Sequence, residues 1–345
     1  MTVKTQPAAG NGQAPKLAPG PRGSMLLGNV PDARRLGMVP FYLQTWRDFG
    51  DIIRLKMGPM VIHQVVRPEH VRHVLVQNAA NYPKGFSHDK LRVSLGYGIL
   101  TSEGDLWARQ RKLMQPTYTP KAVGQYADIM VDATEKMLQR WQAQRKSSEP
   151  LVVNQEMMRL TMSVISRSMF GLDISEEFAE AGQALINILD FTAARTMAMI
   201  DPPLFIPTPA NRRYKQSIHT VDSLLYKIIR QRRQQPPGDD LLWLLMNAKD
   251  EETRQTMDEK QLRDEVLSTF FAGHETTALL LTWTWYMLAG HPEVEETLHA
   301  ELGQVLGGRP PALQDLSNLP YTRMVLDETL RLYSPVAIIA RAPVA

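Results

Sequence analysis

Apolar residues recur at spacings of three and four along most of the chain, the signature of helices with one buried face. On that pattern, helices are expected over residues 39–49, 106–114, 123–144, 154–170, 176–194, 212–234, 240–248, 258–289, 293–306 and 321–333. Pro335 stops the last of them, because the residue before a proline is driven out of helical backbone. Alternation of period two occurs only near the start, where β-branched runs at 52–56 and 60–66 flank Met57-Gly58-Pro59 and predict a hairpin. Pro68 then opens a short helix carrying Val71, Val74 and Leu75 on one side. Between Gly85 and Gly104 the period fails and four glycines appear, so a long irregular connection is expected there.

The expected fold is therefore mainly α with a small β-sheet (α+β). Residues 1–23, with four Pro and four Gly, read as a flexible tail, and 24–345 as a single domain. Of the 345 residues, 43% are apolar and 22% charged, a globular balance. A net charge of +3 is too small to coat a nucleic acid, and no nucleic-acid partner is expected. The longest apolar run, 278–290, has 13 residues against the roughly 20 that span a bilayer, so no transmembrane anchor and a cytoplasmic location are expected. The count of zero cysteines excludes disulfides, cysteine-zinc sites, iron–sulfur clusters and a catalytic thiol.

The long helix is the most informative element. Its stripe Leu262, Val266, Phe270, Gly273, Thr277, Leu281, Thr284, Leu288 marks one sustained face, yet Ala272-Gly273-His274-Glu275-Thr276-Thr277 interrupts it with a glycine, an acid and two hydroxyls. A glycine there costs about 1 kcal/mol against alanine. It serves either a close helix crossing or the approach of a flat ligand, and a threonine bonded to a carbonyl one turn back can open the ladder to water. The His-Glu pair does not make a zinc site, since the second histidine would fall at Ala278, and no metal-ligating cluster is expected. Gly96-Tyr97-Gly98 lacks the third glycine of a dinucleotide loop.

Trp107 and Arg111, four apart on one helix, present two donors in one direction, suited to a carboxylate or phosphate; the alternative is a packed stem and a solvated charge. Glu328 and Arg331, three apart, form a pair expected to be partly desolvated by Val325, Leu326, Leu330 and Leu332 and to act as a brace, or else an exposed salt bridge. Basic groups at Arg109, Arg111 and Lys112, and at Arg230, Arg232 and Arg233, read as solvated faces. Met157, Met158, Met162 and Met169, and Phe191 with Met197, Met199 and Phe205, read as core or pocket lining.

Taken in order, the hairpin, the Gly-rich connection running into Leu100-Thr101-Ser102-Glu103-Gly104, Trp107-x-x-x-Arg111, the AGxxTT turn and Glu328-x-x-Arg331 resemble the cytochrome P450 family of haem-thiolate monooxygenases from about Pro19 to the last residue. The resemblance implies a P450 fold and a haem b whose propionates are held by Trp107, Arg111 and Arg341. Ala272, Gly273 and Thr276 would lie over the distal face, with Glu275 and Thr276 relaying protons to bound dioxygen. Glu328 and Arg331 would brace the core. Phe271, Ala337, Ile338 and Ile339, with parts of 85–104 and 190–207, would line a site for a lipophilic small-molecule substrate. Dioxygen is the co-substrate, and a separate electron-transfer partner, of ferredoxin or flavodoxin type with an NAD(P)H reductase, is implied because no flavin or nicotinamide motif is present. The family's axial cysteine lies in a loop after the ExxR helix, and no cysteine or later histidine than His299 is available here. The expectation is a C-terminally incomplete P450, truncated before the haem-ligand loop, inactive and weak in haem binding alone. The rival expectation is a non-catalytic helical binder of apolar small molecules.

Overall fold

A computed structural model describes residues 17–145, 150–171, 175–197, 202–250 and 254–344, with the backbone alone at 86–87, 175–181, 193 and 196–197. Most of the expected tail, and Met199, lie outside the described residues. The described chain divides into two compact units, residues 17–83 with 343–344, and residues 84–342.

In the first unit, α1 (Val30–Leu36) and α2 (Met38–Phe49) cover a hairpin of β1 (Ile52–Met57) and β2 (Met60–Val65), followed by α3 (Pro68–Arg72). The two β-branched runs form the predicted hairpin, and its strands pair antiparallel from Ile52 opposite Val65 to Met57 opposite Met60. Period two puts Ile53 and Leu55 inward at 0% exposure against Ala33 and Phe41. Gly28, at φ +57°, seats the preceding turn on β1, where any Cβ would meet the Lys56 carbonyl. Thr45 donates to Gln64 Oε1 at 2.9 Å and fastens α2 to β2.

The second unit is helical throughout its regular structure: α4 (Phe86–Leu95), α5 (Gly104–Met114), α6 (Pro120–Gly124), α7 (Ala127–Gln144), α8 (Val153–Phe170), α9 (Ser175–Met197), α10 (Pro209–Arg233), α11 (Leu241–Asn247), α12 (Glu259–Ala289), α13 (Pro292–Leu306) and α14 (Pro320–Leu332). Among the described residues, side chains accepting from the third residue on start four of these helices: Thr119, Thr208, Asp240 and Asp258, the last at 2.7 Å from Gln261 N. The 85–104 stretch is not irregular throughout. It contains α4, because Leu91 and Leu95, one turn apart, pack into the main core and Gly96 ends the helix at φ +69°. The helix expected over 123–144 is two, broken at Gln125–Tyr126.

Helix α12 is the axis of this unit, 31 residues and about 46 Å long. Leu262, Val266 and Phe270 enter the main core with Met169, Phe170, Ile229 and Leu242, while Ala278, at 0% exposure, joins a second core with Ala133, Met137, Met157 and Leu160. Thr277, expected on the buried stripe, is exposed; Ala278 takes its place. Phe205, expected to be packed, is 79% exposed, whereas Arg232, expected to be solvated, is 5% exposed, bonded to Asp240 and set over the Trp243 ring. The C-terminal helices are lightly packed. Among the described residues α13 buries none and α14 only Thr329, and α14 is capped from outside by Glu301, which accepts from Tyr321 N and Thr322 N. No described helix is long and apolar enough to cross a membrane.

Candidate functional site

The polar interruption of α12 stays helical. Thr276 Oγ1 donates to the Ala272 carbonyl at 2.5 Å, the one-turn-back bond that a mid-helix threonine can form. A Cβ on Gly273 would lie 3.1 Å from Ile165 Cδ1, so the glycine does serve a close crossing with α8. His274 belongs to the same contact: its Nε2 is 3.1 Å from the Met158 carbonyl and its ring stacks on Phe270. Burial holds its imidazolium below the ordinary value, against the pull of that carbonyl. Glycine and histidine thus face α8. Ala272 is exposed and Glu275 half-buried, and among the described residues the Glu275 carboxylate has no hydrogen-bond partner.

Two turns earlier, α12 grips the Gly-rich connection. Asp264 Oδ2 accepts from Tyr97 N and Glu265 Oε2 from Ile99 N, each at 2.8 Å. Gly98 lies between them so close to α12 that a Cβ would collide with Ser268 Oγ and the Asp264 carbonyl. From the other side Gln110 of α5, at 0% exposure, donates to the Tyr97 carbonyl at 2.6 Å. Just after α5, Tyr118 meets Thr269 with hydroxyls 3.1 Å apart. The helix bearing Trp107 and Arg111 is therefore registered to α12 at two points.

Trp107 and Arg111 are both exposed and, among the described residues, neither side chain has a hydrogen-bond partner. Arg341 reaches the start of their helix through Lys84. The Lys84 and Arg341 backbones form an isolated bridge, and Lys84 N donates to the carboxylate of Glu103, the N-cap of α5. Lys84 Nζ donates to the Ile99 and Ser102 carbonyls at 2.9 and 2.7 Å. Burial, with Arg341 and Arg92 nearby, brings its ammonium down to about 8 even though Glu103 opposes them. His88 is lowered by burial and then by Lys84 and Arg341. Glu103 and Glu265 supply counter-charge to Lys84, and Asp89 pairs with Arg92 at 2.7 Å. Sequence reasoning missed Lys84. The available signal was a lone cation between Pro83 and Gly85, which periodicity cannot rank.

Glu328 and Arg331 do pair, with Arg331 donating through Nε and Nη2 at 2.7 and 2.6 Å. Their expected desolvation is overturned: the side chains are 54% and 66% exposed, because no other described element packs over that face of α14. Each holds the other charged, Glu328 below and Arg331 above its ordinary value. Phe271 packs partly buried against the main core, while Ala337, Ile338 and Ile339 are exposed. At the C-terminal end of α12, Trp283 stacks on Tyr333 with centroids 4.2 Å apart and so ties α12 to the end of α14.

The chain is similar in sequence to several known proteins. Cyclooctatin synthase of Streptomyces melanosporofaciens is 35% identical over 298 residues, 85% of this chain and 63% of the relative. Cyclooctat-9-en-7-ol 5-monooxygenase of the same organism is 35% identical over 288 residues, 83% of this chain and 62% of the relative. Pentalenene oxygenase of Streptomyces avermitilis is 28% identical, with 85% and 64% covered. The chain thus spans rather less than two thirds of these relatives. A family model described as Cytochrome P450 matches residues 18–344, nearly everything described here, and the chain belongs to that family.

Proposed function

We propose that this chain provides the dioxygen-side wall and the carboxylate clamps of a haem-dependent monooxygenase, which inserts one oxygen atom of O2 into a lipophilic substrate. One observation carries this reading: Trp107 and Arg111 carry two donors, unpartnered among the described residues, on a helix whose N-cap is joined through Lys84 to Arg341. Those residues fit the two carboxylates of haem b, since charge-assisted bonds from planar or indole donors suit carboxylate oxygens. They do not supply the iron's sulfur ligand, because the sequence contains no cysteine. When bound, a haem iron with thiolate ligation activates dioxygen for insertion into a C–H bond.

The chain's own residues would work as follows. Thr276 donates its proton to the Ala272 carbonyl and keeps lone pairs free to accept a bond from a water. The half-buried Glu275 carboxylate, next in sequence and unpartnered, takes up and returns protons as general acid and base. Phe271 and the apolar segment Ala337, Ile338 and Ile339 favour an apolar substrate. Glu328 and Arg331, solvated here, become a brace when further polypeptide covers them. We attribute the sulfur ligand to such a segment, supported by the exposure of Leu330 (39%), Leu332 (45%) and Ile339 (57%) and by the greater length of the relatives. Electrons come from a separate ferredoxin- or flavodoxin-type partner with an NAD(P)H reductase, in the cytoplasm.

The test is to join the chain to a cysteine-bearing C-terminal segment of a relative and record the reduced, carbon monoxide-treated spectrum. A thiolate-type band that weakens when Arg111→Ala and Arg341→Ala are combined supports the clamp; a band indifferent to both refutes it. In the joined protein Thr276→Ala should raise peroxide released per reductant consumed several-fold, and unchanged coupling would remove the threonine from the proton path.

A further inference from the structure

Glu265 has no part in the proposed chemistry, yet it is the most deeply buried acid of α12, at 0% exposure. A lone carboxylate in such a place is expensive unless each oxygen is employed. Among the described residues only Oε2 is bonded, to Ile99 N at 2.8 Å, while Oε1 and the Ser268 Oγ one turn on are buried without a hydrogen-bond partner. The Ile99 peptide is held from both sides: its N–H goes to Glu265 and its carbonyl accepts from Lys84 Nζ at 2.9 Å. Next to it, Gly98 leaves no room for a Cβ, and the Gly98 carbonyl accepts from Thr101 N and Ser102 N at 2.9 Å. Ser102 Oγ in turn bonds Gln110 of α5. The path from Glu265 through Ile99, Gly98 and Ser102 to Gln110 thus runs through consecutive short bonds, with a second link from Ile99 through the longer Lys84 side chain.

From this geometry we infer that Glu265 is a positioning residue: by binding the Ile99 amide it sets the seat of the Gly96–Ser102 saddle on α12 and, through Gln110 and Lys84, the placement of the α5 donors. Its bearing on haem rests on the proposed function; the positioning itself does not. The groups facing Glu265 are Asp264 on its own helix, Lys84 from the segment before α4, and Tyr118 from the turn after α5. Burial, reinforced by Asp264 and opposed by the Ile99 N–H and Lys84, lifts its carboxyl to about 7. The saddle should therefore loosen as pH rises through neutrality. An acid whose folded value is raised stabilises the closed form below its ordinary range and loses that contribution through the raised value.

The experiment is site-resolved amide exchange on the full, haem-free chain. Glu265→Leu should speed exchange at Ile99 by at least about tenfold, the scale of one lost hydrogen bond to a buried acceptor, and carry the effect into α5. Glu265→Gln, which keeps a carbonyl acceptor, should stay within about threefold of wild type. If Glu265→Leu leaves Ile99 protected, affects Ile99 while leaving α5 unchanged, or is matched by Glu265→Gln, the inference is overturned. Should Glu265→Leu fail to fold, the protection factor of Ile99 in the wild type decides: it falls between pH 5 and 8 and is flat in Glu265→Gln if the inference holds, and equal profiles refute it. None of these readings involves haem, so a chain that never takes up the cofactor would sink the proposed function and leave this result standing.

Discussion

Two arginine–carboxylate groups on neighbouring helices have opposite surroundings. On α12, Arg263 is 8% exposed and donates to Asp222 and Asp264, with Asp264 also holding the Tyr97 amide. On α14, Arg331 and Glu328 form an equally short fork, but in water, at 66% and 54% exposure. The same pair chemistry is a structural necessity in the first place and nearly free to break in the second. A buried charge that loses its partner keeps the desolvation cost, whereas an exposed one returns to solvent.

That contrast can be broken at its strong end first. Arg263→Ala should cost about 3–5 kcal/mol, since it takes the shared cation from Asp222 and from the buried Asp264, which keeps only Lys260 and the Tyr97 amide, and urea unfolding of the chain would read it. A loss under about 1 kcal/mol would show that the two groups are equivalent after all. Next in size is the pH dependence set by Glu265, whose carboxyl rises from 4.5 to about 7. The folded chain binds the proton that the unfolded chain releases, so stability should fall as pH rises from the ordinary carboxyl range to neutrality. The fall is on the order of 3 kcal/mol, and it should vanish in Glu265→Gln. Smallest is Arg331→Gln, expected to leave the urea midpoint of the chain by itself close to that of wild type. Joined to further polypeptide that covers α14, the same substitution should become one of the costly ones, which would sharpen the comparison into a measure of what that segment buries.

Much of this protein could be read from local pattern. The hairpin, the long α12 and, to within three residues, the bounds of α5, α8, α10 and α13 follow from apolar spacing and caps, because helix and strand periods express themselves within a few residues. The order of Trp107, Arg111, the Ala272–Thr277 turn and Glu328-x-x-Arg331 was equally visible. Missing from that reading were α4, hidden by four glycines in its neighbourhood, the place of Lys84, and the difference between a buried and a solvated ion pair.

By itself, then, the sequence determined where most of the helices lie, where the hairpin turns and which family the motif order resembles. Only the tertiary structure decided that Gly273 and His274 face α8, that Asp264 and Glu265 serve amides on the Gly-rich connection, and that Glu328 and Arg331 stand in water. The physical reason is range. Periodicity is a property of neighbours, while the burial of a charge depends on what distant chain arrives to satisfy it, and the Tyr97 amide reaches Asp264 from 167 residues away.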